Sequence, residues 1–157
     1  MKLVDFICFD AIIPQLESSQ RDGAIAELVM ALSSAGKTGK AKPGAIIKSV
    51  IERENEASTG LGKGVAVPHV KYAGVQEVVA AVGCSSEGID FSSLDKKPAY
   101  LVILLLSPAD DADKHLEAME NIFRNLQRDD FRRFLRQARN VKQIEDVISE
   151  ADGMHSA

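Results

Sequence analysis

The chain has 157 residues, 45% of them hydrophobic and 27% charged, the mix of an ordinary globular domain rather than a disordered segment. Nineteen Lys and Arg against 23 Asp and Glu leave a formal net charge of −4, which argues against a protein that lives on nucleic acid. Two cysteines, Cys8 and Cys84, without Cys-rich spacing exclude a disulfide scaffold and a cysteine-type zinc module. Free thiols point to a reducing compartment, read as the cytoplasm. The longest apolar run, residues 99–106, is far short of the roughly 18 residues of a membrane span, so no direct membrane insertion is expected. Asp5 and Asp10 interrupt an N-terminus that also lacks a secretory cleavage pattern. The length predicts a single domain over residues 1–157, with its core over about 16–150 and a frayed tail over 151–157.

In chain order, residues 11–16 read as a short edge strand, because Pro14 carries no N–H. Ser19 followed by Asp22 reads as a helix N-terminus. Ile25, Leu28, Val29 and Leu32 recur at helical spacing after it, and Gly36 closes it. Gly23 inside this helix weakens it by up to about 1 kcal/mol relative to Ala. After a loop over residues 37–42, Pro43 opens a second helix with Ile46, Ile47, Val50 and Ile51 on its apolar face, running to about Glu56.

Glycines at 60, 62 and 64 predict a loop over residues 58–64. A short strand over residues 65–67 follows, ended by Pro68, with His69 at its tip. Residues 78–84 read as a strand and 88–91 as a turn into an extended piece. Residues 99–106 are apolar throughout, as in a strand covered on both faces. Pro108 and the acidic stretch 110–113 start a helix with core positions Leu116, Met119, Ile122, Phe123 and Leu126. Asp129 or Asp130 caps the next helix, which carries Phe131, Phe134 and Leu135, and a last one uses Val141, Ile144, Val147 and Ile148. This alternation predicts an α/β sandwich, a central mixed β-sheet flanked by helices on both faces.

Two phosphate motifs fail on inspection. Ala35-Gly-Lys-Thr38 has Ala31 where a P-loop requires its first glycine, and it follows a helix rather than a strand. Gly60-Leu-Gly-Lys-Gly64 has Val65 in place of a third dinucleotide-fingerprint glycine, with a strand behind it. A loop so rich in glycine nevertheless lets backbone amides approach an anion.

Beside that loop stands His69, either a surface or structural residue or, as a neutral imidazole, a nucleophile near pH 7. His115 in the first turn of its helix is either a solvated helix start or a group placed where phosphate is attracted. Two histidines without a clustered third ligand or an HExxH pattern make no metal site. Arg124, Arg128, Arg132 and Arg136 recur every four residues, with Arg133 and Arg139 nearby. They form either a solvated face or a docking surface for an acidic partner. Nucleic acid is the weaker reading, because Phe123, Phe131 and Phe134 fall on the core face. Cys84, mid-strand, reads as a buried structural thiol.

Taken together, Arg53-Glu-Asn-Glu-Ala-Ser-Thr-Gly-Leu-Gly-Lys-Gly-Val-Ala-Val-Pro-His69 resembles the phosphorylation-site signature of fructose/mannitol-type EIIA domains of the bacterial phosphoenolpyruvate:sugar phosphotransferase system. Glu87-Gly-Ile-Asp-Phe91, residues 101–108 and His115-Leu116 follow in the family's order, so the resemblance covers roughly residues 16–150, and Met1 to Gln15 fit it less clearly. It implies His69 as the phosphohistidine, His115 as the second active-site histidine and Arg53 beside the phosphoryl group. Thr59 and Gly60 belong to the phosphoryl-binding loop, and no cofactor is required. It implies an HPr-like phosphocarrier as donor, with an EIIB cysteine or a regulated target protein downstream. The absence of fused EIIB, EIIC or HPr regions favours a nitrogen-branch-type regulator, regulatory rather than catalytic in the cell; the alternative is a sugar-specific EIIA serving fructose or mannitol uptake. Arg124 and Arg128 are candidate partner-docking residues.

Overall fold

The structure, a computed structural model, describes residues 1–154. Within them the chain runs α1 (Leu3–Phe6), β1 (Ile7–Ile13), α2 (Arg21–Ser34), α3 (Pro43–Glu56), β2 (Gly60–Gly62), β3 (Val65–Ala66), β4 (His69–Tyr72), β5 (Val79–Ile89), β6 (Ala99–Pro108), α4 (Ala112–Leu126), α5 (Asp129–Gln137) and α6 (Val141–Met154). The sheet has the order β1-β5-β6-β3-β2, with β4 also pairing β6. It is mixed: β1 runs parallel to β5, β5 antiparallel to β6, and both β3 and β4 parallel to β6.

Side chains of a strand alternate between faces, and β6 divides the core on that rule. Leu101, Ile103 and Leu105 face the cluster formed with α1, α4, α5 and α6. Val102, Leu104 and Leu106 face the cluster formed with α2 and α3. The apolar run is therefore covered on both sides, as its composition requires, and each such Leu or Ile contributes roughly 1.5–3 kcal/mol by leaving water. The predicted sandwich stands.

Several boundaries move. The first edge strand occupies Ile7–Ile13 and stops before Pro14, earlier than residues 11–16. The helix expected to be capped by Ser19 starts at Arg21 with Gln20 as its N-cap and no side-chain bond there. Gly23 has a packing reason: a Cβ at that position would lie 2.0 Å from Ser18 Oγ, so the turn entering the helix lies over a glycine.

The stretch 58–64 is not an open loop. Lys63 and Gly64 both take positive φ, 58° and 80°, the backbone of a tight two-residue hairpin turn. That turn folds β2 back on β3. The strand predicted over 78–84 runs Val79–Ile89 and so extends into the expected turn at 88–91, with Gly88 inside β5 at φ 89°.

Arg128 rather than Asp129 or Asp130 is the N-cap of α5, and the two aspartates occupy its first turn. Leu116 and Phe134, expected in the core, are 58% and 45% exposed. The expected frayed tail is corrected as far as Met154: Ala151 and Asp152 are buried in α6. The Asp152 carboxylate accepts the backbone N–H groups of Leu3 at 2.7 Å and Val4 at 3.0 Å, which caps α1 from the far end of the chain. The remainder of that predicted tail lies outside the described residues.

Candidate functional site

Pro68 has no N–H to give to a ladder, and it separates β3 from β4 along the same edge of β6. At this break Val67 is buried, and its carbonyl accepts a hydrogen bond from His69 Nδ1 at 2.8 Å. His69 thus opens β4, opposite Leu105 of β6, rather than ending the strand before it. A carbonyl only accepts, so Nδ1 carries the proton, and in the neutral ring Nε2 holds the lone pair.

The second imidazole comes from α4. Asp111 caps this helix, its side chain accepting from the Lys114 N–H at 3.2 Å. His115 follows on the face turned to the sheet, where its Nδ1 lies 2.6 Å from Ser107 Oγ. The two rings stand with centroids 5.6 Å apart, inclined by 43°. Each is held by Nδ1, and neither Nε2 has a hydrogen-bond partner among the described residues.

Both rings are kept neutral. Burial pushes the His69 pKa down, and the Arg53 guanidinium pushes the same way. The Val67 carbonyl and the Glu54 carboxylate push up without overcoming burial. His115 is pushed down to about 4, chiefly by burial and then by the charges of His69 and Lys71. Arg53 sits in the last turn of α3, and its Nη1 donates to Ala57 O at 2.9 Å.

The glycine hairpin serves this site differently from the sequence expectation. The Thr59 N–H donates to Glu54 Oε2 at 3.0 Å, and its hydroxyl donates to Glu54 Oε1. Gly60 N–H donates to Ser58 Oγ at 2.9 Å, and Lys63 N–H to Asp95 Oδ2 at 3.1 Å. These donors are engaged within the protein. What reaches the histidines is the root of the hairpin, where Val67 N–H donates to Thr59 O at 3.2 Å. The hairpin tip lies by Tyr100 and Leu101, whose N–H groups donate to Gly64 O. That is four residues along β6 from Leu105, or roughly 13 Å.

Arg124 lies nine residues after His115 on α4, roughly 13 Å further along at the helical rise. Arg128, beyond the end of α4, donates to Asp130 at 3.0 Å. Neither is brought to the histidine pair. Cys84 is buried, and its thiol is pushed up to about 11 by that burial, as expected of a structural residue. Among the described residues no three His, Cys, Asp or Glu side chains gather around one point, and no helix is long and apolar enough to cross a membrane.

Three contributors were missed in the sequence although signals existed. Glu54 continues the buried stripe of Ile46 and Val50 at the next i+4 position, a carboxylate where an apolar residue belongs. Ser107 is fully buried and shares the strand parity of Leu101, Ile103 and Leu105, on the face that α4 covers. Lys71 lies two residues past His69, paired in register with Ser107.

Two opposed, neutral imidazoles with free Nε2 atoms beside a guanidinium define a site suited to handing a charged group between nitrogens. Residues 6–151 match the family described as "Phosphoenolpyruvate-dependent sugar phosphotransferase system, EIIA 2", and the chain belongs to it. It is 34% identical over 152 residues to the "PTS system fructose-specific EIIABC component" of Bacillus subtilis, covering 97% of this chain but only 24% of that protein's length. The "PTS system fructose-specific EIIA component" of Haloferax volcanii is 35% identical over 130 residues, 83% of each chain. The "Nitrogen regulatory protein" of Bradyrhizobium diazoefficiens is 32% identical over 149 residues, 95% of each. The crystal structure of nitrogen regulatory protein IIA-Ntr from Neisseria meningitidis shares the fold, with a TM-score of 0.83 at 24% identity, over 92% of this chain and 97% of that one.

Proposed function

We propose that this chain is a cytoplasmic phosphocarrier that accepts a phosphoryl group on His69 Nε2 from the phosphohistidine of an HPr-like protein. The observation that carries the reading is the histidine pair, anchored at both Nδ1 atoms and free at both Nε2 atoms. The His69 Nε2 lone pair forms the new N–P bond as the donor's N–P bond breaks, and the donor imidazole keeps that electron pair. His69 retains its Nδ1 proton, so the ring gains positive charge as the bond forms, and the Val67 carbonyl stabilises that charge. Little covalent help is needed; placement and compensation of the oxygens' charge do the work.

Arg53 supplies compensation through a planar fork of N–H donors. His115 adds one Nε2–H donor, provided that the Ser107 hydroxyl donates to its Nδ1 and fixes that tautomer. Thr59, Gly60 and Glu54 support the strand break from beneath rather than meeting the phosphoryl group. Exposed Leu116 beside His115 offers an apolar contact for the seated donor, and Arg124 and Arg128 would meet only its periphery.

Downstream, the 32% identity to the nitrogen regulatory relative supports a regulator that binds target proteins according to the state of His69. The fructose-specific relatives favour delivery to an EIIB cysteine. Incubation with a phosphorylated HPr-like donor tests the common step. One acid-labile phosphoryl group per chain is expected, absent in His69→Ala, and phosphorus NMR should place it on Nε2. Label that persists in His69→Ala overturns the proposal. Loss of the label to an added EIIB, but not without it, selects the delivery role.

A further inference from the structure

At the end of β6 remote from the histidines the chain gathers its cations. Lys63, Lys97, Arg132, Arg133 and Arg136 line, with Tyr100, an open cavity of about 950 Å³. Only Asp95 and Asp129 among its lining residues are acidic, so five cationic and two anionic side chains meet in a protein of net charge −4. Such a local excess of one sign concentrates opposite charge.

The cavity is held in shape. Asp95 accepts the backbone N–H of Lys63 at 3.1 Å and of Lys97 at 3.0 Å, and these bonds hold its carboxyl below the usual range. It thereby ties the β2–β3 hairpin tip to the loop before β6 through main-chain N–H groups, which sets the two lysines on one rim; the Lys97 charge adds a weaker pull on the same carboxylate. The opposite rim is α5. Arg132 donates to Leu126 O at 2.5 Å and pairs with Asp129. The Arg136 guanidinium lies 3.9 Å from the Tyr100 ring centroid, and that of Arg133 lies 5.2 Å from that of Phe134. A stacked guanidinium is oriented by the ring while its N–H edges stay available to an anion. Among the described residues, none of Lys63, Lys97, Arg133 and Arg136 forms an ion pair with a carboxylate.

We propose that this cavity binds a small polyphosphate anion, a chemistry shared by inorganic pyrophosphate and nucleoside diphosphates. Cations on two facing rims suit a chain of phosphates better than a single one. The volume is that of a small-molecule site, roughly 300–1,000 Å³. Arg136 covers a face of Tyr100, which removes a stacking platform that single-stranded nucleic acid would use. Half of the arginine repeat, Arg132 and Arg136, is thus assigned here rather than to a continuous helical face. The site lies roughly 13 Å or more from His69 along β6, so it stands or falls independently of the phosphocarrier reading.

Titration of the full chain with pyrophosphate and separately with ADP, followed by amide NMR, tests it. Saturable one-site binding is expected for both, with shifts centred on Gly64, Tyr100 and the α5 amides. Tighter binding of ADP would assign a nucleotide, and equal binding the phosphate chain alone. Binding should weaken about tenfold or more in Arg133→Glu/Arg136→Glu and in the opposite-rim variant Lys63→Gln/Lys97→Gln, but not in Lys40→Glu, a charge change elsewhere. No saturable shift, equal weakening in Lys40→Glu, shifts centred on the histidines, or tighter binding of poly-glutamate than of either probe would each overturn the proposal.

Discussion

Ser107 Oγ and His115 Nδ1 stand 2.6 Å apart, joining the end of β6 to the first turn of α4. Ser107 is fully buried, so water cannot replace it as a partner. Replacing it with Ala leaves the imidazole nitrogen without its partner and frees the ring to change tautomer. Ser107→Ala should fold, yet slow phosphoryl release to an acceptor by about tenfold, with nitrogen NMR reporting a changed His115 tautomer. Ser107→Thr should restore both readouts. Wild-type transfer and an unchanged tautomer would reduce Ser107 to packing.

The pH dependence follows from the neutral rings. Because burial and Arg53 lower the His69 pKa, its Nε2 lone pair persists below the ordinary imidazole value of about 6.5. Phosphoryl uptake should therefore be flat from pH 8 to 6.5 and decline only below that, measured with a pre-phosphorylated donor. A decline already centred at or above pH 7 would contradict this.

Stability responds to the same groups. The unfolded chain binds a proton at each histidine near pH 6.5, whereas folded His115 does so only near 4. As pH falls the unfolded state takes up protons first. The contribution of a neutral His115 is therefore complete above pH 6.5 and is lost between 6.5 and about 4. A thermal-unfolding series should show Tm falling across that window in the wild type and less steeply in His115→Asn. Parallel slopes would contradict the lowered pKa.

Glu54 anchors Thr59 through both its N–H and its hydroxyl, and its charge raises the pKa of His69. Glu54→Ala should destabilise the protein by about 1–3 kcal/mol and move the His69 titration to lower pH. Denaturant melts and an NMR titration would measure the two effects, and an unmoved His69 would remove Glu54 from the site.

Asp152 caps α1 from α6. Asp152→Ala should cost about 1–3 kcal/mol while leaving phosphoryl uptake at wild-type rate, since neither helix carries a histidine of the pair. A rate loss without a stability loss would reverse this assignment.

The architecture was legible because β6 is apolar at consecutive positions and the helices carry clear stripes, signals that survive any rearrangement of loops. His69 and His115 were legible through the signature and their positions at element boundaries. What escaped was decided by pairing across the chain. Ser107 and Glu54 acquire meaning only when α4 and the hairpin are laid over them. The glycine stretch concealed a hairpin because glycine marks a turn without saying which segments it brings together. The arginine spacing of four read as a solvated face or a docking surface, but the break between Leu126 and Asp129 turns the later arginines toward a different neighbour.

The Val67 carbonyl that holds His69 has a consequence for inheritance. A main-chain oxygen is spelled by no codon, so substituting residue 67 alters bulk around the imidazole without deleting the group that orients it. The ring's alignment is exposed to mutation mainly through Pro68, whose missing N–H marks the break at which that oxygen meets the ring. Descendants of this chain can therefore vary residue 67 while the His69 imidazole keeps its orientation.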